Sequence, residues 1–229
     1  GDPQVDSLGE TMHLERYLEL KGKSLTEEDW IDLLSQAASA LDYAHEAGVV
    51  HGSLKLTNIL VAPAEKGVRL LLSDFGLTRL IGEKICLTRI CEQLAKGFPL
   101  SRFIHAYAFL APEQKMADGE LTPKVDAYAF GILAYYLLFR KVPEGCFDLP
   151  SRSFPDTVQN WDLLINRSLQ TNPHVRPQKL TQAMKEYLHA PRAILKEMLS
   201  LAEIEPKTEN ILQMAFELEE APAHHLLGL

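Results

Sequence analysis

The run AYAFGILAYYLLF, Ala127 to Phe139, holds thirteen residues without a charge. It is shorter than the roughly 20 residues that cross a bilayer. A helix that is apolar all round must instead be enclosed by protein on every side. Thr122 and Pro123 ahead of it supply an N-cap and a first-turn proline, so the helix is predicted over about 123–139. Asp126 places a carboxylate at the start of this buried element. The rest of the chain has to build a shell around it.

Amphipathic segments able to form that shell flank the run. Residues 26–48 put Trp30, Leu34, Ala37, Leu41 and Ala44 on one helical face, with Thr26 and Asp29 as a capping box and Gly48 as the stop. LERYLELKGK before it reads as a shorter helix. NILVA at 58–62 and VRLLLS at 68–73 have strand character and are joined by PAEKG, whose proline and glycine suit a hairpin turn. Residues 74–122 show weak periodicity and several breakers. They read as a long loop with a short helix at about 89–96, and a loop of that length points to function. Further helices are predicted at about 156–169 and 178–189, then a helical hairpin over 191–204 and 208–220 turning at Pro206. The fold class is mainly α, a helical bundle with a small β-hairpin.

With 229 residues, 46% of them hydrophobic, the chain suffices for one helical domain plus a C-terminal extension. A net charge of -8 with no basic block argues against nucleic acid or an anionic membrane surface. The expected partners are proteins or small ligands. Cys86, Cys91 and Cys146 lack metal-ligand spacing and are odd in number, which favours a reducing, cytoplasmic setting over a disulfide framework. Gly1 in place of Met suggests a leader or an internal fragment.

Four patterns then follow in fixed order: HGSLKLTN after a helix, SDFG after the hairpin, APE after the long loop, and DAYAFG opening the buried helix. With NPHVRP at 172–177 as a fifth, they resemble the C-terminal lobe of the eukaryotic-type serine/threonine protein kinase family. The resemblance implies a kinase-like lobe over residues 9–190, a hinge-like remnant or leader at 1–8, and a helical extension at 191–229. The family's N-terminal β lobe, with its glycine-rich loop and strand lysine, has no counterpart in this sequence.

Carried over position by position, the resemblance gives His51 a packing role in the catalytic loop and makes Lys55 a hydrogen-bond donor to a phosphate or to backbone. Asn58 and Asp74 take the magnesium-ligand positions that also contact nucleotide. Asp126 is implied to accept hydrogen bonds from the catalytic-loop backbone, and Glu113 with Arg176 to form a buried ion pair. The departures concentrate on the chemistry. Ser53 stands where the family's catalytic aspartate would be, and a neutral hydroxyl at pH 7 has neither the basicity nor the charge for that role. Gly52 replaces the neighbouring arginine, leaving phosphorylation at Thr88 or Ser101 without an anchor, and Ala106 aligns with a threonine that touches the catalytic residues.

Two readings follow from the resemblance. The first is a pseudokinase acting in signalling through protein binding, with ATP and Mg held weakly or not at all by this fragment. The second is an active atypical kinase that transfers the ATP γ-phosphate to protein hydroxyls once an N-terminal lobe is present. A receptor-like signalling domain is a third and would require a membrane span upstream.

Overall fold

A computed structural model describes residues 11–21, 24–76, 105–116, 120–145 and 147–190. The hinge-like residues 1–8, the helix expected at 89–96 and the extension 191–229 lie outside the described residues.

The chain begins with β1 (Met12–His13) and α1 (Leu14–Lys21), then α2 (Glu27–Glu46). The start of α2 is set as its sequence predicts. The Asp29 N–H donates to Thr26 Oγ1 at 3.3 Å, and the Thr26 N–H donates back to Asp29 Oδ2 at 2.7 Å. Gly48, at φ +74, ends the segment in a conformation that costs glycine little. The stripe Leu33, Leu34, Ala37, Ala38 and Leu41 is buried.

A 3₁₀ turn (Leu56–Asn58) leads into β2 (Ile59–Pro63) and β3 (Val68–Leu72), which pair antiparallel with Ile59 opposite Leu72 and Pro63 opposite Val68. The predicted hairpin is therefore present, but it is part of a three-stranded sheet. β1 adds to its open side, pairing Met12 with Val61. Two residues show no alternation from which a strand can be read.

Residues 105–108 are helical, and α3 (Pro112–Lys115) follows within the stretch read from sequence as loop. The buried helix is α4 (Pro123–Phe139), with Thr122 and Pro123 at its start as expected and every residue from Ala129 to Leu138 buried. After α5 (Pro150–Ser153), α6 (Trp161–Ser168) begins later than the predicted 156, because Asn160 caps it by accepting the Leu163 N–H at 3.1 Å. A second 3₁₀ turn (Pro173–Val175) precedes α7 (Leu180–Leu188).

α4 packs against α2 and α6, and α7 against α2 and α6. The approach of α4 to α6 depends on Gly131, where a Cβ would stand 2.6 Å from Ser168 Cβ. No helix among the described residues is long and apolar enough to cross a membrane.

Candidate functional site

The loop His51–Asn58 runs from the end of α2 to β2, and its shape is imposed from beneath by Asp126 in the first turn of α4. The Asp126 carboxylate is fully buried. Its Oδ1 accepts the Gly52 N–H at 2.8 Å, and its Oδ2 accepts the His51 N–H and the His45 Nε2–H, both at 2.8 Å. A carboxylate only accepts, so His45 carries its proton on Nε2 here. The helix N-terminus favours negative charge at this position.

Gly52 adopts φ +70, a region that would strain most side-chain-bearing residues. Its carbonyl accepts Gln114 Nε2–H at 2.9 Å, and Gln114 Oε1 accepts the Ala111 N–H at 3.0 Å. One buried amide thus ties the start of α3 to the loop. His51 is enclosed, its ring 4.5 Å from that of Phe75. Burial pushes its imidazole below the ordinary pKa, against the pull of Asp126 and Asp74.

Ser53 is part-buried at the centre of this frame. Its N–H faces His51 Nδ1 at 3.4 Å, its carbonyl accepts Asn58 Nδ2–H at 2.9 Å, and its hydroxyl lies 3.4 Å from the Asp74 carbonyl. The Asn58 carbonyl accepts the Ser73 N–H at 2.9 Å, which joins this loop to the segment carrying Asp74. Asp74 is exposed and adopts φ +64, a left-handed conformation that is uncommon for a residue with a side chain. The Lys55 carbonyl accepts the Asn58 N–H at 2.9 Å, but its ammonium bonds to no described residue.

The donors at Asn58 and Asp74, an amide oxygen and a carboxylate, are of the hard oxygen kind magnesium takes. Asn58 Nδ2 is engaged by the Ser53 carbonyl, which makes Oδ1 the atom this side chain could offer a metal, and Asp74 offers an exposed carboxylate. Among the described residues no group of three or more His, Cys, Asp or Glu side chains could hold a metal. Magnesium commonly takes only one or two protein oxygens and its other ligands from phosphates and water.

Glu113 and Arg176 meet as the sequence reading expects. The guanidinium donates to both carboxylate oxygens, at 2.6 and 2.8 Å, and to the carbonyls of Lys124, Gln170 and Thr171. Arg176 is buried, and the paired fork is the geometry that makes arginine–carboxylate pairs strong. Ala106 lies on the short helix at 105–108, and its methyl group can donate no hydrogen bond to the loop. Thr88 and Ser101 lie outside the described residues. Sequence reasoning missed His45 and Gln114, whose only signals are bonds to residues 81 and 62 positions away.

The sequence profile of the protein kinase domain family matches residues 7–193. The chain is 30% identical over 216 residues to the serine/threonine-protein kinase pkn1 of Chlamydia caviae, a match covering 92% of this chain and 34% of that protein. It is 32% identical over 177 residues to Pkn1 of Chlamydia trachomatis serovar L2, covering 77% of this chain and 28% of that protein. The chain thus spans about a third of the length of these curated relatives. Among solved structures, the PknI kinase domain of Mycobacterium tuberculosis superposes with a TM-score of 0.54 at 21% identity, over 77% of this chain and 61% of that one. At that identity the likeness concerns the fold.

Proposed function

The chain belongs to the protein kinase domain family, and from that premise we propose that it is a pseudokinase, acting in cytoplasmic signalling by binding a protein rather than by transferring phosphate. The observation that carries this reading is Ser53. The backbone frame around it is complete, yet the side chain it presents is a neutral hydroxyl. General-base catalysis contributes about 10² to 10⁴ in rate, and a neutral hydroxyl at this position does not supply it. Asn58 Oδ1 and the Asp74 carboxylate would hold magnesium together with nucleotide phosphates, and Lys55 would reach a phosphate from the loop. The metal, when bound, neutralises charge on those phosphates.

One observation favours a second reading, an active atypical kinase. Asp74 keeps a left-handed backbone that costs energy unless the surroundings hold it, and such strain gathers at working sites. Phosphoryl transfer relies mostly on positioning and charge, so a poised metal site could sustain slow turnover without the aspartate.

Radiolabelled ATP, magnesium and a generic protein substrate, offered to the full chain, separate the two. The pseudokinase reading expects incorporation no greater than with Asp74→Ala. Transfer clearly above that control would overturn it.

A further inference from the structure

Lys115 ends α3, one residue after the Gln114 amide that holds the Gly52 carbonyl. Its ammonium sits 4.6 Å from the centroid of the Tyr107 ring and 6.0 Å from that of Tyr128. The Arg176 guanidinium lies 5.1 Å from the same Tyr128 ring. These cations are not equivalent. The fork of Arg176 is matched by Glu113, whereas Lys124 Nζ donates to the Arg176 carbonyl at 2.7 Å and not to an acid.

No carboxylate among the described residues pairs with Lys115. Burial lowers its pKa, and that of Lys124 is lowered by burial and then by Arg176. What the geometry leaves at this place is one ammonium on aromatic faces, on a chain whose net charge is -8. The rim is apolar and open: Met116 is 70% exposed and Tyr107 40%.

An ammonium lodged on aromatic faces keeps its charge without being neutralised. It is held in place before any ligand arrives, which reduces the ordering cost of binding. We propose that Lys115, framed by Tyr107 and Tyr128 and followed by the exposed Met116, is a docking point for an acidic side chain of a protein partner, with an apolar neighbour of that side chain covering Met116. A phosphate group would call for several convergent donors or a free guanidinium fork. Here the one fork is occupied, and the remaining features are a single ammonium and an apolar rim. The docking point rests on the protein-binding reading and specifies its partner class. Gln114 places it beside the Ser53 loop.

The test is fluorescence anisotropy on the full chain with two fluorescein-labelled glycine–serine peptides, one carrying a central Glu-Leu-Glu and the other Gln-Leu-Gln. The glutamate peptide should bind at least about tenfold more tightly at low salt and lose that advantage as salt screens the pair. Lys115→Met, which keeps the stem and removes the charge, should erase the preference, while Lys115→Arg keeps it and Lys141→Met, remote and paired with Asp148, leaves it unchanged. Equal affinity for the two peptides on the unsubstituted chain overturns the proposal without any variant, as does Lys115→Met binding the glutamate peptide undiminished. The phosphate-transfer assay is independent. A chain that transfers phosphate yet prefers the glutamate peptide loses the pseudokinase reading and keeps the docking point.

Discussion

The two sides of the loop at residues 51–58 have been treated differently. On the buried side, Asp126, His45, Gln114 and, one layer away, Glu113 with Arg176 form a polar frame that bonds the loop backbone or closes on itself, with His45 Nδ1 the buried atom in it that finds no partner among the described residues. On the other side, which the proposed function reads as the cleft, Ser53 presents a part-buried neutral hydroxyl and Asp74 stands exposed. The difference separates stability from chemistry. A buried polar group that loses its partner destabilises the fold, so the frame resists change. A cleft-facing side chain carries little of the fold, so it can be exchanged while the loop keeps its course.

The comparison is most exposed to failure at Arg176. Arg176→Ala strands Glu113 and removes the bonds to three carbonyls, and the loss should be about 3 to 5 kcal/mol, the range for breaking a buried pair. Denaturant midpoints measure it. A loss under about 1 kcal/mol, typical of exposed pairs, would remove Arg176 from the frame.

A smaller effect belongs to Gln114. Gln114→Ala removes the bonds it makes to the Gly52 carbonyl and the Ala111 N–H, which should cost about 1 to 3 kcal/mol, the range for a lost buried hydrogen bond. If thermal melts show no change, the loop does not need its tie to α3.

His51 adds a dependence on pH. Its folded pKa is depressed below the ordinary 6.5 by burial, so the unfolded chain binds the proton more readily. The stability of the neutral ring is complete above about pH 6.5 and is lost as pH falls toward the folded value. The melting temperature of the unsubstituted chain should therefore drop more steeply between about pH 7.5 and pH 5 than that of His51→Phe. Parallel curves would show that this histidine is not held neutral by the fold.

The least effect is expected on the cleft side. Ser53→Asp should cost less than about 1 kcal/mol, below either frame substitution because the side chain is part-buried and its hydroxyl makes one long contact, and should not bring phosphate transfer to this chain. A measurable gain in transfer would show that the nucleotide is already well placed and that the base alone was missing.

Much of this frame was legible before the fold was known. The capping box at Thr26 and Asp29, the start at Thr122 and Pro123, and the enclosure of Ala127–Phe139 follow from local chemistry and periodicity. The meeting of Glu113 with Arg176 and the role of Asp126 came through the family resemblance, on residues that stand intact in the motifs. β1 was not legible, because two residues carry no period. Nor was the late start of α6, which is set by the Asn160 cap rather than by the apolar pattern.

What tertiary structure alone decided is the set of side chains that bond to distant backbone. Glu27 accepts the N–H groups of Val158 and Gln159 and the indole of Trp161, across separations of 131 to 134 residues. Gln36 closes the outer edge of β3 by donating to the Val68 carbonyl at 3.0 Å and accepting the Leu70 N–H at 2.8 Å. Asp42 takes the N–H groups of Leu180 and Thr181 at 2.9 Å each, capping α7 from another helix where Lys179 supplies no cap of its own. Periodicity reports which face of an element is buried, since burial recurs with the turn of the helix. It cannot report which backbone group a polar side chain will find there, because that partner is fixed only when two remote segments pack and their leftover donors and acceptors must be satisfied.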